Sequence, residues 1–73
     1  MNPGCEYNKA IRLIWIREVL PRRPMTAREM AKILATSQRT IVRDLLDLQT
    51  APSPLRMPLV LDTSDGWRWK VEQ

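Results

Sequence analysis

The chain has 73 residues, with 12 Lys and Arg against 8 Asp and Glu, no His, and a formal net charge of +4. With 44% apolar and 27% charged residues it has the make-up of one small folded domain, and no apolar run approaches the roughly 18 residues a membrane span needs. Cys5 stands alone, which forbids an internal disulfide, and without His or a second Cys the usual zinc-site spacings cannot be assembled within one chain.

Catalysis is disfavoured on similar grounds. There is no His for general-base work and no glycine-rich phosphate loop, since Gly4 and Gly66 are the only glycines. A chain this short also has little room for a walled substrate pocket. No cofactor or metal is expected. The first ten residues, MNPGCEYNKA, lack the basic, apolar and small-residue succession of a secretory signal, so the expected location is cytoplasmic.

Residues 6–20 are mostly good helix formers, stopped by Pro21. At about 100° per residue, Ile11, Ile14 and Trp15 form one stripe. Leu13, Ile16 and Leu20 form a second, and Lys9, Arg12, Arg17 and Glu18 fill the gaps. Such a helix is either covered on two sides within the domain or uses one stripe to contact a second copy of the chain. The sequence PRRPM at 21–25 reads as a rigid connector, because each Pro disfavours helix in the residue before it.

A second helix is expected over 27–34. Thr26 and Glu29 have the spacing of a capping box, and Ala27, Met30, Ala31 and Leu34 share one face, opposite Arg28 and Lys32. Ser37 then caps a third helix over 38–48. Ile41, Leu45 and Leu48 turn inward there, while Arg39 and Arg43, one turn apart, point outward with Gln38 and Val42 on a flank and Thr40 near the boundary. Leu46 also points outward, either to cover the following loop or to meet a partner.

Residues 50–58, TAPSPLRMP, form a proline-rich connector. LVL at 59–61 and WRWKV at 67–71 then flank an Asp65-Gly66 turn signal, so a β-hairpin is expected over 59–71. Strand alternation places Trp67, Trp69 and Val71 on the core face and Arg68 and Lys70 on the other.

The resulting fold class is α+β, mainly helical: three helices followed by a two-stranded hairpin, the element order of a winged helix-turn-helix. In that arrangement the helix after Ser37 would enter a DNA major groove and the hairpin would serve as a wing. Charge location agrees. Residues 22–43 carry Arg22, Arg23, Arg28, Lys32, Arg39 and Arg43 against Glu29 alone, a local net charge of +5 that attracts a polyanion.

The run MTAREMAKILATSQRTIVRDLLDLQ at 25–49 resembles the N-terminal helix-turn-helix of the DeoR-like and WYL-type bacterial transcription regulators. The matching residues are Thr26, Glu29, Met30 and Ala31, then Ser37, Arg39, Thr40, Ile41, Arg43, Asp44, Leu45 and Leu48, and GWRWKV at 66–71 is similar to the wing's second strand. Where those proteins usually place a Gly between the two helices, this chain has Ala35. The resemblance implies double-stranded DNA as partner and a small repressor as the simplest role. The ligand-sensing domain that usually follows has no counterpart in these residues, so no small-molecule effector is expected. A regulator of this size would suit a bacterium or a compact genome such as a phage.

Arg39 and Arg43 are the leading candidates for base or phosphate contact, since Arg can grip guanine O6 and N7 together. The competing role for Arg43 is an ion pair with Asp47. Gln38 could pair with adenine, Ser37 and Thr40 could donate to phosphate, and Val42 could touch a thymine methyl. Arg28 and Lys32 suit backbone phosphates, and Arg68 with Lys70 suit contact from the hairpin. Asp44 is expected to be a structural partner for a nearby Arg. A homodimer is expected, with Leu13, Ile16, Leu20 and Leu46 as possible contacts. The alternatives are a protein-binding module of the same fold and a DNA-bending recombination accessory factor.

Overall fold

The computed structural model describes residues 7–72, apart from the side chain of Asp65. It contains helices α1 (Lys9–Val19), α2 (Ala27–Ile33) and α3 (Gln38–Thr50), then strands β1 (Leu59–Asp62) and β2 (Arg68–Val71) joined through a 3-10 turn (Thr63–Asp65). The fold is mainly helical α+β with one antiparallel hairpin, as expected. No helix among the described residues is long and apolar enough to cross a membrane.

Each helix begins where a side chain can satisfy an orphan backbone N–H. Asn8 caps α1 by accepting from the Ile11 amide at 2.9 Å. The first helix therefore starts later than residue 6, since Asn8 is extended; Cys5 and Glu6 lie outside the described residues. At α2 the capping box is complete: Thr26 Oγ1 accepts from the Glu29 amide, and Glu29 Oε1 accepts from the Thr26 amide, both at 3.0 Å. Ser37 caps α3 by accepting from the Thr40 amide at 3.1 Å.

The bond from the Thr26 amide holds the Glu29 carboxyl below its usual range, assisted by the Thr26 hydroxyl and by the charges of Arg68 and Arg23. A carboxylate depressed in the folded state stabilises it above the unfolded value and ceases to do so as pH falls through the folded one. Asp62 is depressed in the same sense by Ser64 and Lys70. Stability should therefore decline as pH drops below the ordinary carboxylate range. In an acid titration followed by circular dichroism, Glu29→Gln should flatten part of that decline, and Thr26→Ala should cost about 1 kcal/mol at neutral pH.

The α2–α3 turn closes as a Schellman motif. The Thr36 amide donates to Ala31 O at 2.9 Å and the Ala35 amide to Lys32 O at 3.4 Å. Ala35 occupies the left-handed position at φ 53, where a Cβ costs roughly 1–2 kcal/mol. Ala35→Gly removes that strain and gives back part of it as chain entropy. The expected outcome is a net gain of about 0.5–1 kcal/mol in urea unfolding.

The core joins Ile16 of α1 and its C-cap Leu20 to Met30 and Ala31 of α2 and its C-cap Leu34, and to Ile41, Leu45 and Leu48 of α3, closed by Met25, Met57 and Leu59. Trp15, Trp69 and Val71 pack around it half-buried. This corrects the reading of α1. Ile16 and Leu20 are 0% and 1% exposed inside the chain, so these two are interior residues and not dimer contacts, whereas Leu13 is half-buried and packs against the core while still lining a surface hollow. Of the other stripe, Ile11 at 46% and Ile14 at 61% are exposed, while Trp15 is half-buried against the core. The helix is thus covered on one side only.

Segment 21–25 does more than connect. Met25 bonds to Trp69 in both directions, at 3.1 and 2.7 Å, and so fastens β2 to the start of α2. Gln49 Nε2 donates to Leu59 O at 3.0 Å, tying the end of α3 to β1. Helix α3 runs to Thr50, two residues past the expected end, and stops at extended Ala51 because Pro52 follows.

The hairpin corrects a second expectation. Asp62 accepts from the Ser64 amide and hydroxyl and starts the 3-10 turn. Gly66 and Trp67 then both adopt left-handed backbone, at φ 76 and 62. Trp67 belongs to the turn and not to β2, strand alternation does not reach it, and its side chain is exposed instead of lying in the core. Trp69 and Val71 do face the core as expected.

Candidate nucleic-acid interface

Helix α3 is anchored by its inner face, and the anchor includes one ion pair. Arg12 Nε donates to Asp44 Oδ2 at 2.6 Å, with Nη2 3.4 Å from Oδ1, and Arg12 Nη1 donates to Tyr7 O at 2.9 Å. Both side chains are buried, at 8% and 2% exposure. Asp44 is the structural partner its position suggested. Arg12 was misread as a gap filler, although it lies four and eight residues before Ile16 and Leu20 and so shares their buried face. The pair fixes α3 against α1. The outer face of α3 is left to solvent.

On that outer face Arg39 and Arg43 are both exposed and flank half-buried Val42, and these three line one open concavity. Arg43 is not tied to Asp47, which pairs with Lys9 instead. Among the described residues neither Arg39, Arg43, Arg28 nor Lys32 has an ion-pair partner. Their charge is available to an outside anion.

Val42 also lines a second concavity, which brings Gln38 together with Arg28 at the start of α2 and with Trp67 and Leu61 of the hairpin. The two hollows therefore adjoin, and one continuous face carries Gln38, Arg39, Val42, Arg43, Arg28 and Trp67. Trp67 was missed as a member of this face; Gly66 immediately before it, which allowed the turn to continue through it, was the available signal.

The remaining candidates are placed less favourably. Ser37 Oγ is engaged as a cap and lies 3.0 Å from Thr40 Oγ1, so these two hydroxyls bond each other. Lys32 is exposed one turn beyond Arg28 and lines neither hollow. Arg68 sits beside Arg23, Pro24 and Glu29, at the edge of the face. Lys70 is half-buried and bonds Asp62 at 3.3 Å, which occupies much of its charge within the hairpin. Leu46, 46% exposed, shares a hollow with Lys9, Thr40, Arg43 and Asp47.

No family model, curated protein or solved structure matches the chain.

What the face can do follows from its chemistry alone. It offers three cations without an ion-pair partner among the described residues, Arg28, Arg39 and Arg43, one amide side chain with both donor and acceptor, and apolar groups between them. The guanidinium groups stand one helical turn apart on a rigid element, which suits a repeating anion better than a single small one. A phosphodiester backbone presents such a repeat.

Proposed function

We propose that the chain is a winged helix-turn-helix module that binds double-stranded DNA, with α3 in the major groove and the β1–β2 hairpin as the wing. In this reading its resemblance to the DeoR-like and WYL-type regulators reflects a shared mode of contact, and its simplest action is repression by occupying a promoter. No catalytic step and no small-molecule effector form part of it.

The observation that carries the proposal is the pair of exposed arginines on α3, without ion-pair partners among the described residues, opposite the face by which that helix is fixed to the domain. A helix about 10–12 Å across fits a major groove about 12 Å wide. Helix α3 is long enough, at 13 residues, to present Gln38, Arg39, Val42 and Arg43 there while its far end stays tied to β1. Arg28 then lies toward the backbone phosphates.

A homodimer on two half-sites would raise affinity by linkage. The apolar surface of α1 available for a second copy is Ile11 and Ile14. A protein-binding role for the same fold has one observation in its favour, the exposure of Leu46. The continuous basic face outweighs it, since a single leucine beside Lys9 and Arg43 is a small apolar area.

The test is duplex-DNA binding by fluorescence anisotropy between about 50 and 200 mM salt. Affinity should fall linearly on a log–log plot, with a slope of about −0.9 for each phosphate neutralised. Absence of binding at the lowest salt would overturn the proposal and direct attention to a protein partner.

A further inference from the structure

Trp67 is poorly suited to its place on structural grounds alone. Its side chain is 64% exposed, and its backbone sits at φ 62, a region bulky residues enter only at a cost. A turn that needed only this geometry would carry Gly or Asn there. Nor does Trp67 build the core, to which the hairpin contributes Leu59, Trp69 and Val71. The strain is imposed from both sides, by the Asp62-capped 3-10 turn and Gly66 before it and by the Met25–Trp69 bonds that hold β2 after it.

The surroundings indicate the purpose. Trp67 shares its hollow with Arg28, Gln38 and Val42, and Val42 leads directly to Arg39 and Arg43. A large indole therefore stands at the hairpin end of the cationic face. It has an apolar surface for sugar and base edges and one N–H for a phosphate oxygen.

We infer that Trp67 is a DNA-contact residue, laying its indole against the deoxyribose and base edges of the duplex that flank the segment facing α3. This rests on the DNA-binding reading above. The neighbouring cations select a polyanion as the occupant of this hollow, and the indole adds to their ionic contacts one that does not depend on charge.

That difference makes the contact measurable. Trp67→Gly suits the left-handed backbone, so the variant should melt at or above the wild-type temperature. Its duplex affinity should nevertheless fall roughly tenfold or more, the loss expected when a large indole no longer buries apolar area against the duplex. The salt slope should stay unchanged, because an indole displaces no counterion. DNA should also lower acrylamide quenching of the wild-type tryptophan fluorescence. Unchanged affinity in Trp67→Gly, with the wild type binding normally, overturns this inference and leaves the DNA-binding reading intact. A marked drop in its melting temperature overturns it too, by showing that Trp67 acts in folding. A wild type that does not bind duplex DNA removes both.

Discussion

Arg39→Ala/Arg43→Ala should lose duplex binding by roughly 30-fold or more while folding normally. Each arginine that grips a base edge contributes about 1–3 kcal/mol of discrimination, and each that meets a phosphate also steepens the salt dependence by about one unit. The single variants separate these roles. A base-reading arginine, once removed, relaxes preference at one position, whereas a phosphate-binding arginine weakens all sequences alike. Both side chains are exposed and neither has an ion-pair partner among the described residues, so the unfolding free energy should move by no more than about 0.5 kcal/mol. Anisotropy beside thermal melts on the same samples checks both halves. A folded double variant that binds as well as the wild type would remove α3 from the interface.

The other large effect concerns stability. Asp44→Ala removes the Asp44 carboxylate from the buried Arg12 guanidinium, and breaking such a buried pair from one side costs about 3–5 kcal/mol. At roughly 0.05–0.15 kcal/mol per residue, a domain of this size is stable by about 4–11 kcal/mol. The variant should therefore melt at least about 12 °C lower, or not fold at all. The double change Arg12→Met/Asp44→Leu replaces the pair with apolar groups of similar length and should recover most of the loss. Failure of that rescue would mean that the other interactions of Arg12, its bond to Tyr7 O among them, contribute more than the ion pair with Asp44.

Much of the scaffold was legible because its signals are local. Pro21 and the Thr26–Glu29 box mark helix ends by backbone chemistry, and Ile41, Leu45 and Leu48 fall on one arc whatever surrounds them. The outward direction of Arg39 and Arg43 follows from the same arc. The start of α1 was legible too in principle, since Asn8 is a strong cap, but Glu6 and Tyr7 before it were read into the helix.

What escaped the sequence depends on contacts between distant segments. Treating every charged residue of α1 as solvent-facing hid Arg12, whose burial makes sense only once Asp44 is brought to it from α3. The exposed and buried stripes of α1 are equally apolar, so only packing decides which is which, and it chose Ile16 and Leu20 over Ile11 and Ile14. Trp67 escaped because alternation holds within a strand, and the Asp62 turn ends only at Arg68. Its arrival beside Gln38 and Val42 requires the Met25–Trp69 bridge, which joins segments more than forty residues apart.

The most direct test of the central claim is a backbone amide NMR titration of the wild-type chain with a short duplex at low salt. DNA binding through α3 predicts shifts concentrated at Gln38 to Arg43, Arg28 and Trp67, with Ile11, Ile14 and Leu55 unmoved. Shifts confined to Ile11, Ile14 and Leu55, or none at all, would contradict it.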